Sequence, residues 1–459
     1  MTISKQEPTF EALVDEFRHR SKDMLGKELH LEEVGSPRLT QAFDESGPPF
    51  KSFGILTEAN IKAYAQRISD DNPLFTNHEY AKNGPYGCII APGTILLTAR
   101  AGLWHGARRE GTAGYPVLNF HAGSALEFFD VIRVGTGFKG SAIANEMIEK
   151  PGARGGQMFL LTTDASFWDM RGDLLGKNYG TVIMIPREEL GTGRVMPVER
   201  LGEKMMYDRE VSNYSEEKIA EIIDLMEKGN VRRGSDILYW EDVNVGDKLP
   251  DWVLPPWTDQ DYGGPGGASI RRGPVRWYHF EEGHWIVRHG KIGSGAEEGW
   301  AFTHPISRWP WSAADEHGDA LMAAYRGQSL PFDNGVQRGQ IPQGLISNWM
   351  GDHGFIRKLQ VAVRRPMYYG DVGVYTAEVV KKFEDVQVGE NGEGAVPGKN
   401  TYYAVGINVE SRNQVGEIHL QGSCVVYLPS KKGGMVKLPV PHLANPPSVP
   451  YETFYRGWY

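Results

Sequence analysis

The sequence predicts an α+β protein built from two similar units in tandem. Its 459 residues are too many for one ordinary hydrophobic core, so two domains of roughly 200 residues are expected. Apolar residues recur at helical spacing near the amino terminus, and from residue 118 they fall in strand-like runs separated by glycine-bearing turns. The same order then returns, because IPQG at 341–344 before LISNWM echoes APG at 91–93 before ILL. Each unit is therefore expected to place one central helix before several antiparallel strands.

The first unit is predicted to span residues 1–185. An amphipathic helix is expected over residues 8–25, and two further helices in LTEANIKAYAQRI and ILLTARAGLW. Four strands follow, in NFHAGSALEFFDVI, GFKGSAIANEMIEK, MFLLTTDASFWD and NYGTVIMIP. Short glycine-bearing turns between them are typical of an antiparallel sheet.

Residues 186–238 are predicted to connect the two units over their surface. Within them Ser215 is a good amino-terminal cap for an apolar-periodic helix, and Gly229 is a typical end for it. The second unit is then expected to span residues 239–459.

An insertion at about 260–312 distinguishes the second unit from the first. Thr57 precedes Pro92 by 35 residues, whereas the matching Thr258 precedes Pro342 by 84. Five of the twelve tryptophans lie in the insertion, and such aromatic content argues against a wholly disordered segment. Long segments of this kind usually form lids, binding loops or subunit contacts.

Composition disfavours nucleic-acid and membrane partners. The formal net charge is −9 and the pI about 5.9, which is unfavourable for binding nucleic acid or anionic lipid. No window approaches 18 consecutive apolar residues, so no membrane span is expected. Cys88 and Cys424 are the only cysteines and lie far apart, so a reduced, cytoplasmic location is the default expectation.

The stretch SDDNPLFTNHEYA carries the clearest motif of the first unit. It resembles the MaoC-like, or hydratase 2, motif of (R)-specific enoyl-CoA hydratases, Gly-Asp-x-Asn-Pro-x-His followed by x-Asp-x-x-x-Ala. Asp70 and Asn72 match its aspartate and asparagine, Ala81 keeps the spacing, and Phe75 stands where the family has histidine. Phenylalanine cannot transfer a proton, so this half is expected to lack its own acid/base pair unless His78 substitutes.

The second unit offers the complementary part of the motif. DEHGDALMAAYRG fits the tail His-x-Asp-x-x-x-Ala-x-x-x-Gly at His317, Asp319, Ala323 and Gly327. Five and three residues before the histidine stand Ser312 and Ala314, where the family has its aspartate and asparagine. Asp315 takes the missing role only if the loop is shifted in register.

At the level of repeat architecture the chain resembles tandem MaoC-like dehydratases over most of its length. The resemblance implies a double hot-dog fold, in which each antiparallel sheet wraps around a central helix. It also implies an acyl-CoA substrate, with water added or removed across the C2–C3 double bond and no cofactor beyond the coenzyme A of the substrate. The residues to which it points are His317 and Asp315 as acid/base pair, Gly344 and Gly93 as oxyanion donors, and Asp70 and Asn72 at the first half's turn.

This chemistry needs a base for water, an acid for the α carbon and donors for the enolate-like oxygen. A positioned acid or base contributes roughly 100- to 10,000-fold in rate. Amides at a helix start are unpaired and favour developing negative charge, and a glycine there lets the thioester approach closely.

Coenzyme A phosphates are expected to meet basic side chains at the pocket mouth, and aromatic side chains of the insertion to shape the acyl pocket. The candidates are Arg271, Arg272 and Arg364 for the phosphates, and Trp309 and Trp311 for the acyl group. Solvated surface charge is an alternative explanation for the arginines. No metal site is expected, because His279, His284 and His289 are spaced by five and do not share a helical face.

Three alternatives stay open at this point. Asp-x-Asn-Pro is also a good turn former, so Asp70 and Asn72 have a purely conformational interpretation. Since neither half carries an intact Asp/His motif, the chain is alternatively a non-catalytic acyl-CoA-binding partner of a dehydratase. Hot-dog folds also include thioesterases. In each case a homo-oligomer without a nucleic-acid or membrane partner is expected.

Overall fold

A computed structural model of the chain gives the placement of most of both units. The residues it describes are 8–29, 55–99, 103–107, 115–152, 156–187, 209–258, 261, 301–303, 306, 310–312, 316–325, 327–389, 400–455 and 458–459. Most of the predicted insertion at 260–312 lies outside the described residues.

The helices begin where the sequence offers side-chain caps. Thr9 accepts a hydrogen bond from the amide of Ala12, and Thr57 and Asn60 form a reciprocal capping box. Ser215 caps a helix that ends at Gly229, as predicted. In chain order the helices are α1 (Phe10–Lys22), α2 (Glu58–Arg67), α3 (Pro73–Thr76), α4 (His78–Asn83), α5 (Glu216–Gly229), α6 (Ala320–Tyr325), α7 (Gly335–Gln340), α8 (Pro342–Met350) and α9 (Tyr451–Tyr455), with 3-10 helices at Gly93–Ala99 and Trp240–Asp242.

Antiparallel strands make up the rest of both units. They are β1 (Ile90–Ala91), β2 (Val117–Phe128), β3 (Ile132–Arg133), β4 (Phe138–Pro151), β5 (Gln157–Asp169), β6 (Leu174–Pro186), β7 (Trp252–Leu254), β8 (Ala301–Thr303), β9 (Pro310–Ser312), β10 (Phe355–Val363), β11 (Gly373–Val386), β12 (Thr401–Arg412) and β13 (Ile418–Tyr427). The four strands predicted for the first unit are therefore confirmed as β2, β4, β5 and β6.

Nine of these strands form one continuous sheet. Their order is β4-β5-β6-β2-β10-β13-β12-β11-β7, so each unit contributes a contiguous block. The blocks meet where β2 pairs antiparallel with β10, with Leu126 opposite Leu359 and Ala125 opposite Gln360. The architecture is the predicted α+β double hot-dog, with the two sheets fused edge to edge.

The central helices of the two units differ in length. In the second unit α7 runs into α8 through Ile341, which has helical dihedral angles (φ −61°, ψ −43°). In the first unit the corresponding segment is the 3-10 helix Gly93–Ala99, where an α-helix was expected. Leu96 and Ile346, from the two segments, belong to one shared hydrophobic core. No helix within the described ranges combines the length and apolar character needed to cross a membrane.

The carboxy-terminal segment, described over residues 440–455 and 458–459, packs back onto the first unit. Lys177 on β6 donates from Nζ to the Pro446 carbonyl oxygen (3.0 Å), and Asn145 on β4 donates to the Val449 carbonyl oxygen (3.1 Å). The ring of Phe454 packs on Tyr179 with centroids 4.9 Å apart. The second unit is thus anchored on the first both by the sheet and by its own carboxy terminus.

Candidate active site

The first-half motif forms a tight polar turn. Ser69 has a positive φ of 58°, a region that glycine enters without strain, which fits the glycine of the family motif at this position. The Asp70 carboxylate accepts a hydrogen bond from the Asn72 amide (3.1 Å), and the Asn72 side chain caps α3 through the Leu74 amide (2.9 Å). Both side chains therefore have a conformational role.

Asp70 also contacts the central helix of the other half. Ser347 on α8 donates from its hydroxyl to Asp70 Oδ2 (3.1 Å), and the carboxyl is 1% exposed. Burial raises the pKa of Asp70 to about 6, although the Asn72 amide, the Ser347 hydroxyl and Arg232 each oppose that rise. The carboxyl has no histidine at the motif position, since Phe75 is buried there.

His78 does not replace the missing histidine. Its Nδ1 lies 2.7 Å from Glu58 Oε1 on the protein surface, and both side chains are exposed. The first half thus pairs its Asp70 with a serine hydroxyl of the other half.

Gly93 lies at the start of the 3-10 helix, as predicted, but the next amide is already bonded. The Thr94 amide donates to Gln343 Oε1 of α8 (2.8 Å). A Cβ at Gly93 would lie 2.7 Å from the Phe128 ring, so this glycine permits a close approach of helix and sheet. A small, mostly apolar cavity adjoins Asn72, Gly93 and Ser347.

A second polar cluster surrounds the start of α7. Asn334 caps this helix by accepting from the Val336 amide (2.9 Å). The preceding Asp333 forms a buried ion pair with Arg338 and also accepts from the Met367 amide (3.1 Å). Because both charges of the pair are hydrogen-bonded, the loop that enters α7 is held firmly.

His317 lies against this helix start with a defined tautomer. Its Nδ1 is 2.7 Å from the Phe332 carbonyl oxygen, which can only accept, so Nδ1 carries the proton. Nε2 is therefore the acceptor nitrogen, and it lies 3.4 Å from Nδ2 of Asn334. The Glu316 carboxylate approaches the same nitrogen at 4.0 Å. A buried histidine with an oriented basic nitrogen and a neighbouring carboxylate is an arrangement suited to proton transfer.

The other residues of the second motif have structural roles. Asp319 accepts from the Met322 amide and caps α6, Ala323 is fully buried, and Gly327 adopts a positive φ of 76° at the helix end. In the first half Asn77 and Ala81 play the corresponding parts on α4. Among the described motif residues of the second half, this leaves His317 as the candidate proton carrier.

Gly335 is the glycine at the start of α7, whereas the expected Gly344 lies in the first turn of α8, which follows α7 through Ile341. The Gly344 amide donates to the Ile341 carbonyl oxygen (3.1 Å), and a Cβ there would overlap the Trp252 ring. Gly344 therefore serves close packing of α8 on β7. Gly335 is partly exposed, whereas its neighbours Asn334 and Val336 are buried. The amides of a first helical turn lack intrahelical acceptors, but the Val336 amide is already bonded to the Asn334 side chain, so a polarised oxygen would have to bind the remaining amides of this turn.

Arg364 lies on the other face of the sheet from the central helix. Its Nε donates to Gln421 Oε1 (3.1 Å) in an outer groove that also contains Gln360, whereas the alternate residues Leu359 and Val361 face the core. That position gives no support to its expected contact with coenzyme A near His317. Arg271, Arg272, Trp309 and Asp315 lie outside the described residues, and Trp311 is described only as part of β9, paired with Phe302.

Glu316, Asn334 and Gly335 are site residues that the sequence motifs do not point to. The dipeptide Asn334-Gly335 carries a signal, since asparagine is a favoured helix cap. Gln337, in the same helical turn, donates to the Asp261 carbonyl oxygen (2.9 Å), so the insertion leaves the fold beside this site. Within the described ranges no three histidine, cysteine or acidic side chains are grouped to hold a metal ion.

No protein-family model matches this chain, and no curated protein matches it. Several solved structures are similar. A protein described as a MaoC-like dehydratase is 16% identical with a TM-score of 0.49, over 82% of this chain and 95% of its own. A putative MaoC domain protein dehydratase from Chloroflexus aurantiacus is 12% identical with a TM-score of 0.44, over 82% and 93%. A Mycobacterium tuberculosis protein described as having a double hotdog fold is 12% identical with a TM-score of 0.41, over 86% and 99%. The chain is thus similar in structure to MaoC-like dehydratases and double hot-dog proteins. The sequence identities are too low for the chemistry of those proteins to be transferred to this chain.

Proposed function

We propose that this protein is a hydro-lyase that adds or removes water across the C2–C3 double bond of an enoyl-CoA thioester. The observation that carries the proposal is the position of His317 at the start of α7. There its Nδ1 is held by the Phe332 carbonyl and its Nε2 accepts beside Asn334.

His317 acts first as the base. Its Nε2 takes a proton from water while the water oxygen bonds to C3, and the π electrons move to C2 and the thioester oxygen. The Glu316 carboxylate, 4.0 Å from Nε2, stabilises the imidazolium that forms. The fixed tautomer means that no ring rotation or proton shift is needed before reaction.

The thioester oxygen is placed at the first turn of α7. The helix start favours the charge that develops on that oxygen, and the missing Cβ of Gly335 allows His121 to pack closely beside the same turn. The α carbon then receives a proton and His317 releases the one it took, so the net change is the addition of one water. The insertion leaves the fold at Asp261, beside Gln337 of this turn, which supports a contribution of the insertion to substrate binding. Arg271, Arg272, Trp309 and Trp311 remain the proposed contacts there, with coenzyme A as part of the substrate.

The test is a hydration assay with a panel of short, long and aromatic 2-enoyl-CoA thioesters. The wild-type protein is expected to consume the conjugated double bond of at least one of them. His317→Gln should lower kcat/KM by about 100- to 10,000-fold, because a positioned base contributes that much. His78→Gln is the matched control, since that histidine is exposed and paired with Glu58.

Wild-type activity retained in His317→Gln would remove this site from the mechanism. Binding of acyl-CoA without hydration of any panel member would favour a non-catalytic partner subunit. Release of free thiol without a hydroxyacyl product would indicate a thioesterase.

A further inference from the structure

A β-bulge in the first unit turns His121 toward the site of the second. Along β2 the pairing with β6 shifts in register between His121 and Gly123. Strand residues three apart normally face opposite sides of a sheet, yet His121 Nε2 lies 3.2 Å from Ser124 Oγ. The bulge therefore brings both side chains to one face, as bulges beside active sites often do.

His121 packs directly on the residue that opens α7. A Cβ built on Gly335 would lie 3.1 Å from the Cβ and 3.2 Å from Cδ2 of His121. Cδ2 is therefore the ring atom that lies against the helix start, and it is bonded to Nε2. Both His121 and Gly335 are partly exposed.

Two histidines from different halves thus border one helix start. His317 contacts Asn334, and His121 contacts Gly335, the next residue of the chain. At the motif position where a dehydratase of this kind has its aspartate, this half has Ser312. A hydration needs two proton transfers, one at the water and one at C2, and the motif of this half supplies one carrier.

Building on the function proposed above, we propose that His121 is the second proton carrier of the site, the group that delivers the proton to C2. In hydration His317 gains the proton lost by water, C3 gains the oxygen, and C2 takes a proton from the His121 imidazolium. The proton on His317 then returns to His121 through solvent, so the net change is the addition of one water. In dehydration His121 removes the C2 proton.

Ser124 has the role of a positioning residue. Its hydroxyl, buried on β2, lies 3.2 Å from His121 Nε2 and holds the ring toward α7. Without that contact the imidazole remains present but less well oriented, so removal of the hydroxyl should have a smaller effect than removal of the ring.

The test separates the two proton transfers. Deuterium exchange at C2 of a saturated acyl-CoA in D2O needs only the C2 carrier, whereas hydration of the matching 2-enoyl-CoA needs both. His121→Gln should lower both rates by about 100-fold or more. His317→Gln should lower hydration to a similar degree and leave exchange within about threefold of wild type. His121→Ala should regain exchange on addition of imidazole, which a merely structural role would not permit.

The outcomes distinguish this inference from the proposed function. If the wild type hydrates no thioester of the panel, the proposed function falls and His121 loses its role with it. If the wild type hydrates and His121→Gln still exchanges C2 protons at the wild-type rate, only the role of His121 is overturned. Loss of exchange in His121→Ala without any rescue by imidazole would equally overturn it. Ser124→Ala should lie between wild type and His121→Gln in both assays.

Discussion

At the scale of single residues, burial determines the charge state of Asp70. Its folded-state pKa is raised from 3.8 to about 6, so between about pH 4 and 6 the folded protein holds a proton that the unfolded chain has lost. Stability therefore falls as the pH rises through this window, and the buried carboxylate remains unfavourable above it. One pKa unit corresponds to about 1.4 kcal/mol, so the effect amounts to roughly 3 kcal/mol at most.

We expect Asp70→Asn to stabilise the protein at pH 7 by about 1–3 kcal/mol and to have no advantage below pH 4. The amide oxygen of asparagine keeps the bond from the Asn72 amide. Its NH2 group can donate to the Ser347 hydroxyl, whose own proton can then turn to the Gly344 carbonyl oxygen 3.1 Å away. Urea unfolding from pH 4 to pH 8 measures the difference.

Asp71→Asn is the control for Asp70→Asn. Asp71 is the exposed neighbour of Asp70 and pairs with Arg232 at the surface, so its substitution should change stability by under about 1 kcal/mol at any pH. A gain for Asp70→Asn that is the same at pH 4 and pH 8 would contradict a raised carboxyl pKa.

At the scale of elements, sequence pattern predicts most of the strands and fails at the central helices. The alternation of apolar and polar residues and the glycine-bearing turns locate β2, β4, β5 and β6, because both signals are local in sequence. Pro342 and Gly344 are a stronger sequence signal for a helix start than Gly335 is. The central helix nevertheless begins at Gly335, because α8 continues α7.

The candidate site was predictable in part. His317 follows from the motif, but His121 does not, because the bulge that brings it to the face of Ser124 depends on pairing with β6. The 3-10 form of Gly93–Ala99 likewise follows no local pattern. Its first turn is bonded to Gln343 and packed on Phe128, and such tertiary contacts override propensity.

The packing of α8 on β7 gives a prediction at this scale. Gly344→Ala should destabilise the protein by about 1–3 kcal/mol or more, because the added methyl would overlap the Trp252 ring. Gly339→Ala, in α7, meets only Leu97 Cδ1 at 3.8 Å and should stabilise by up to about 1 kcal/mol. Folded Gly344→Ala should keep its kcat/KM, since the Gly344 amide is bonded within the helix. A large fall in activity with unchanged unfolding would instead return Gly344 to the oxyanion site.

At the scale of the whole molecule, the carboxy-terminal segment links the two units across the outer face of the sheet. Lys177 pairs with Asp164 at 2.9 Å, and both are buried where residues 446–449 cross them. Ser448 donates to the same Asp164 oxygen (2.5 Å). Farther along the segment, Lys358 on β10 lies with its Nζ 5.0 Å from the centroid of the Trp458 ring. Unfolding of the first unit is therefore coupled to detachment of this segment.

Phe454→Ala tests that coupling. The ring is 1% exposed against Tyr179, so its loss should cost about 3–5 kcal/mol, and hydrogen exchange should accelerate more in β5 and β6 than in β11 and β12. Leu443→Ala, at a position 41% exposed in the same segment, should change stability by at most about 0.5 kcal/mol. Equal acceleration in all four strands would mean that the sheet already joins the units into one cooperative body. The carboxy terminus would then add stability without linking them.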